Sequence, residues 1–144
     1  MLNSPIPPMT RLAIQDLLTE FAYRIDNGEA ATVHELFVAE ARLETPQFVL
    51  ESRDEICRHF TARAEDTSRK TRHYWSNPRF SGDDREVVVV SNTLTVISVP
   101  AAPTVVMSGR STDVFTPHGD GWAFSSRRLD GVILGALGPP LGPS

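Results

Sequence analysis

Apolar residues recur at helical spacing in the first half of the chain, and the second half changes to β-rich runs broken by turn sequences; that change predicts the architecture. Ile14, Leu17, Leu18, Phe21 and Ile25 recur every three or four residues, which predicts an amphipathic helix. Pro5, Pro7 and Pro8 form a stiff, extended lead-in, Thr10 offers an N-cap, and Gly28 is placed to end the helix. A shorter helix carrying Ala31, Val33, Leu36 and Phe37 should follow, before the chain turns extended at residues 42–45. Pro46 breaks that stretch, and residues 47–51 can form a short strand. Ser52-Arg53-Asp54-Glu55 is a capping box, so a third helix should carry Ile56, Cys57, Phe60 and Ala64.

Residues 72–80, 86–98, 104–116 and 121–129 are β-rich runs. They are separated by Ser81-Gly82-Asp83-Asp84, Pro100-Ala101-Ala102-Pro103 and Pro117-His118-Gly119-Asp120, all turn chemistry. Long runs so closely spaced predict an antiparallel meander. Residues 135–144, rich in glycine and proline, should form no regular element and are read as a tail that covers a pocket or a neighbouring subunit, or is disordered. Helices first and strands afterwards predict one α+β domain over residues 1–144, its helices on one face of a curved sheet. A sheet curled around its helices leaves a concavity, the expected place for a small-molecule site.

Composition narrows the partners. The chain has 144 residues, 40% hydrophobic and 22% charged, with a formal net charge of -4. A single core fits that length, and the acidic balance argues against nucleic acid. Residues 1–8 lack a basic n-region and an apolar h-region, and nowhere does an apolar run reach spanning length, so no membrane partner and a cytoplasmic location are expected. Cys57 is the sole cysteine; it cannot form an internal disulfide or a thiolate metal cage, and reads as a small buried hydrophobe.

Two residues are candidates for proton transfer. At about 100° per residue, Asp26 falls just beyond the edge of the first helix's apolar stripe, where its carboxylate can lean into the cavity. It also sits at the helix C-terminus, where the dipole disfavours an anion. A plain polar turn before Asn27-Gly28 is an equal alternative. Strand alternation places His73, Trp75, Asn77 and Arg79 on one face and Arg72, Tyr74 and Ser76 on the other. With the first face inward, an imidazole, an indole and a carboxamide would line the cavity. A histidine changes charge near neutral pH and suits general-base work, and a carboxylate on its other nitrogen would fix the tautomer. A satisfied core histidine is the bland alternative.

Ala13-Ile14-Gln15-Asp16-Leu17 leading to Asp26, Leu36-Phe37 before an acidic stretch, Thr71-Arg72-His73-Tyr74 with Asn77, and Gly121-Trp122-Ala123-Phe124 with Arg127 together resemble the SnoaL-like branch of the NTF2-like superfamily. The resemblance implies a cone-shaped α+β barrel, commonly a homodimer or homotrimer. Its functional likeness is to scytalone dehydratase, bile acid 7α-dehydratase and hexachlorocyclohexane dehydrochlorinase, cofactor-free lyases in which an Asp-His pair removes a proton during elimination. Asp26 and His73 fall on that pair. No cofactor and no metal are therefore expected.

One position departs from the pattern. Five residues before the aspartate the dehydrochlorinase is expected to carry lysine and the bile acid dehydratase tyrosine; here it is Phe21. A phenyl ring can neither protonate a leaving group nor polarise a carbonyl, and Tyr23 points away from the stripe. Electrophilic help must come from elsewhere. Arg127 matches the arginine of the last strand, and Arg128 has the opposite parity, so one of the two should point inward. Asp113 occupies a position often acidic in the family and could be a second acid or base, or pair across strands with Arg110 or Arg127. Trp122 and Phe124 read as core. His34, His59 and His118 carry little signal.

The chain thus reads as a cofactor-independent lyase or isomerase for a small apolar, cyclic or polyketide-like substrate, with catalytic Asp26 and His73 and substrate contacts from Phe21, Trp75, Asn77, Asp113 and Arg127. A binding or accessory module of the same fold is the alternative from another class. An epoxide hydrolase or cyclase of the same fold is a second alternative; it would need Arg110 and Asp113 both inward, which regular alternation forbids unless the strand carries a bulge.

Overall fold

The computed structural model describes residues 6–99 and 105–136. Helix α1 (Pro8–Asp26) leads into a 3-10 segment (Ala30–Leu36) and strand β1 (Phe37–Glu44). A two-residue strand β2 (Val49–Leu50) and helix α2 (Arg53–Glu65) follow, then four long strands: β3 (Lys70–Asp83), β4 (Val87–Val99), β5 (Val105–His118) and β6 (Gly121–Ala136). One six-stranded sheet has the order β2-β1-β6-β5-β4-β3. The predicted meander is present as β3 to β6, all antiparallel. Beyond it, β1 joins parallel to β6, a pairing of distant segments that no local pattern announces. The result is α+β, with a curved mixed sheet that stays unclosed between the β2 and β3 edges.

Local chemistry explains most boundaries. Helix α1 starts earlier than Thr10 because Pro8 occupies its first turn, where a missing N–H costs nothing and a fixed φ helps; Pro7 is the N-cap. It ends at Gly28, whose φ of 86° lets the Glu29 amide reach back to the Arg24 carbonyl at 2.7 Å. The Ser52 cap is present, its hydroxyl accepting the Glu55 amide at 3.1 Å. Glu55 answers on the Glu51 amide, at 2.7 Å, one residue outside the usual box.

Three boundaries differ from expectation. The second helix is a 3-10 segment that stops at Leu36, and Phe37 opens β1, because pairing with Phe124 draws it into the sheet. The strand expected at residues 47–51 shrinks to Val49–Leu50. Strand β6 runs to Ala136, paired with Val105, so residues 135 and 136 belong to the sheet. Residues 137–144, the rest of the expected tail, lie outside the described residues.

The core lies between the concave sheet face and the helices. Ile14, Leu18, Phe21 and Ile25 of α1 meet Ile56 and Phe60 of α2, Phe37 and Leu43 of β1, and Phe115 and Phe124 of the central strands. Along β4, Val88, Val90, Asn92, Leu94 and Val96 point inward. Asn92 is the one polar member of that row, so it must find a partner inside.

The β3–β4 turn is the tightest steric point. Gly82 has a φ of +101°, and a Cβ there would lie 2.3 Å from the Val87 carbonyl oxygen. Gly82→Ala should lower unfolding free energy by about 1–3 kcal/mol. Gly119→Ala, at positive φ but in open space, should cost only about 1 kcal/mol. Urea denaturation of the two variants checks the order.

Candidate active site

The end of α1 meets the start of β3 through one carboxylate. The Asp26 Oδ1 atom lies 2.6 Å from His73 Nδ1 and accepts the Thr71 hydroxyl at 2.8 Å, while Oδ2 accepts the His73 backbone N–H at 2.7 Å. An ionised carboxylate can only accept, so the His73 ring carries a proton on Nδ1, and in its neutral form Nε2 is the acceptor. Burial on its own would raise the Asp26 carboxyl; the His73 ring bond and charge, its backbone amide and the Thr71 hydroxyl outweigh burial and hold it below its ordinary value of 3.8. The Asp26-His73 pairing that the family resemblance implied, and that helix angle and strand parity allowed, is thus present as geometry.

Behind the histidine lies an aromatic cluster centred on Phe21. Its ring meets Phe60, Phe37, Trp75 and His73 edge-on, at centroid distances of 5.8 to 6.5 Å. The Arg127 guanidinium lies over Phe21 at 4.0 Å and over Trp75 at 4.4 Å. Arg127 and Asp113 are cross-strand partners in the β5–β6 register, with Nε 2.9 Å from Oδ1. Asn92 and Ser111 donate to the same carboxylate, at 3.1 and 3.0 Å. Burial raises the Asp113 carboxyl and lowers the Arg127 guanidinium, each against the pull of its partner. Arg127 Nη2 donates to Ser111, and the buried Nη1 has no partner.

A cavity of about 570 Å³ opens in front of this assembly. Phe21, His73 and Arg127 line it, as expected of them. Three other expected residues do not. Trp75 shares the face of His73, but the Arg127 guanidinium lies over its ring and Phe21 meets it edge-on. Asn77 sits at a bulge with a φ of 54° and is exposed, lining a separate groove with Arg79 and Arg110. The bulge resets strand parity, which is why counting by twos from His73 fails there. Asp113 is wholly buried behind Arg127 and contacts no part of the cavity. Of the two arginines, Arg127 points inward; Arg128 is exposed and reaches the rim.

The far wall holds residues the sequence reading passed over. His59, Phe60 and Arg63 of α2, with Phe48 and Arg69, close the mouth opposite the sheet. The His59 ring packs against Phe48 at 4.2 Å with the planes tilted by 39°, and burial followed by the Arg69 charge lowers its basicity. Ile56, His59, Phe60 and Arg63 stand at i, i+3, i+4 and i+7, so the helical period itself marks His59 and Arg63 as inward.

Two outcomes follow from this geometry. Removing one member of the buried pair, as in Asp113→Leu, should cost about 3–5 kcal/mol, whereas Asp113→Leu with Arg127→Met should recover much of that loss, as read by urea denaturation. The lowered Asp26 carboxyl contributes stability that is complete above pH 3.8 and is lost as pH falls through its lower folded value. Asp26→Asn should therefore flatten that acid limb in a pH series of melting temperatures.

Comparison with known proteins agrees with this fold. Among solved structures, a candidate scytalone dehydratase from Novosphingobium aromaticivorans superposes with a TM-score of 0.80 at 19% identity, covering 94% of this chain and 95% of that one. LinA superposes at 0.79 with 16% identity, covering 94% and 95%. A Catenulispora acidiphila protein in complex with S-DNPA reaches 0.72 at 16% identity, covering 85% and 95%. No curated protein sequence matches the chain. The SnoaL-like domain family matches residues 9–128; the chain belongs to that family.

Proposed function

We propose that this protein is a cofactor-independent lyase or isomerase, with His73 as general base, acting on a small apolar cyclic or polyketide-like molecule. The observation that carries the reading is the Asp26-His73 contact of 2.6 Å at the wall of an open, mostly apolar cavity. Asp26 orients the ring and stabilises the imidazolium that forms when Nε2 takes a proton. In an elimination, a C–H bond next to a carbonyl breaks, its proton goes to Nε2, and the electron pair forms a double bond as a hydroxyl leaves. The imidazolium returns that proton to the departing hydroxyl, giving water and the free base. In an isomerisation the same proton returns to a different carbon.

Phe21 cannot polarise the carbonyl, and that favours a binding module on first inspection. Arg127 answers it, because its unpartnered Nη1 is a buried cationic donor on a cavity-lining side chain. A developing enolate oxygen is the kind of charge such a donor stabilises. An epoxide-opening set has no such support, since Arg110 is exposed and Asp113 is committed to Arg127.

Scytalone dehydratase, the name carried by one structural neighbour, motivates a bicyclic β-hydroxyketone as test substrate. Dehydration of 3-hydroxy-1-tetralone yields 1-naphthol, which is read by fluorescence. The wild-type protein should accelerate it, and His73→Ala and Asp26→Asn should each lower kcat by ~10²–10⁴-fold. Unchanged turnover in both variants would exclude His73 as the base.

A further inference from the structure

The charged side chains lining the cavity are unbalanced. Arg63, Arg69, Arg127 and Arg128 reach it, and Glu44 is the one carboxylate among its lining residues. Arg127 is neutralised by Asp113, and Arg128 has Asp130 at 3.7 Å. Arg63 and Arg69 have no carboxylate within ion-pair distance among the described residues. The Arg63 guanidinium donates only to uncharged oxygens: the Thr71 hydroxyl at 3.4 Å and the Arg69 and Asp66 carbonyls at 3.3 and 3.5 Å. The Arg69 side chain makes no hydrogen bond or ion pair at all among the described residues. Asp66 and Asp26 act on Arg63 only from beyond ion-pair distance, so the two guanidinium groups stand near each other with no carboxylate in contact, and the Arg69 charge makes the Arg63 position less favourable. The bonds from Arg63 to the Arg69 and Asp66 carbonyls hold the α2–β3 loop in the form that keeps them together.

We propose that Arg63 and Arg69 form a carboxylate-binding site at the cavity mouth, so that the natural substrate is an organic acid whose apolar ring lies against Phe21, Phe60 and Leu94. The inference deepens the function proposed above and rests on the same cavity being the substrate site. A guanidinium pair matches the two oxygens of a carboxylate better than a single ammonium would. Apolar side chains, Phe48, Phe60, Leu43, Val96 and Met107 among them, make up much of the lining, which suits a molecule with one charged end. Arg63 touches Thr71, and Thr71 touches Asp26, so a bound carboxylate is placed next to the proton-transfer pair. Docking of the acid end thereby sets which carbon faces Nε2.

Binding of 2-naphthoate and of 2-naphthamide, which share a ring system but differ in charge, tests the proposal by calorimetry and by NMR of the histidine side chains. Naphthoate should bind at least ~10-fold more tightly than the amide and should shift the His59 ring resonances. Arg69→Gln and Arg63→Gln should each weaken naphthoate ~10-fold and leave the amide within about twofold. Arg69→Gln is decisive alone, because no structural contact of its side chain is lost. Equal affinity for acid and amide, equal weakening of both by Arg69→Gln, or naphthoate binding that leaves His59 unshifted or does not occur would each overturn the site. Binding is read without turnover, so this result and the fate of His73 as base are separable.

Discussion

A carboxylate placed where a helix least favours one organises this protein. Asp26 is the last residue of α1, at the negative end of the helix dipole, and is nearly buried. It persists there because β3 supplies three donors: the Thr71 hydroxyl, the His73 amide and the His73 ring. β3 is the edge of the sheet, and the His73 amide is satisfied by a side chain in place of a further strand. One group thus joins helix to sheet, covers part of an exposed edge, and sets the tautomer of the histidine. Because α1 is rigid from Asp26 back to Phe21, the same anchor fixes the ring on which His73 and Arg127 rest.

The two buried ionic contacts differ in kind. Asp26-His73 stands at the cavity wall and leaves a nitrogen free for a ligand. Asp113-Arg127 lies deeper, where desolvation works against both partners. Three donors on Asp113 and aromatic faces around Arg127 compensate for that cost. The arrangement leaves a single guanidinium nitrogen unused. Phe21 belongs to this arrangement: its face carries the guanidinium at 4.0 Å, so a residue with no polar chemistry of its own positions one that has it.

Legibility followed the range of the interactions. The stripe on α1, the Ser52 cap and the turn sequences were readable because each depends on neighbours within one turn or one hairpin. The Asp26-His73 contact required only a helix angle, a strand parity and a family pattern to agree. Phe37 was misread as helical because its partner, Phe124, is remote in sequence. Asn77 was misplaced because a bulge changes which face a residue meets, and the Ser76-Asn77-Pro78-Arg79 segment carries no alternation that would reveal it. His59 and Arg63 were readable from the α2 period, which places them on the face of Ile56 and Phe60, but the sequence reading gave His59 little weight and did not weigh Arg63.

By itself, then, the sequence determined most of the elements, their order and the α+β class, since these follow from local periodicity and residue chemistry, and only together with the family pattern did it single out Asp26 and His73 as the proposed proton-transfer pair. Only the tertiary structure decided which arginine turns inward, that Asp113 is bound to it, that Trp75 lies behind it, and that Arg63 and Arg69 face the cavity with no carboxylate in direct contact. Those outcomes depend on sheet register, on bulges that reset parity, and on helix α2 closing over the sheet. Each is settled by packing between segments far apart in the chain.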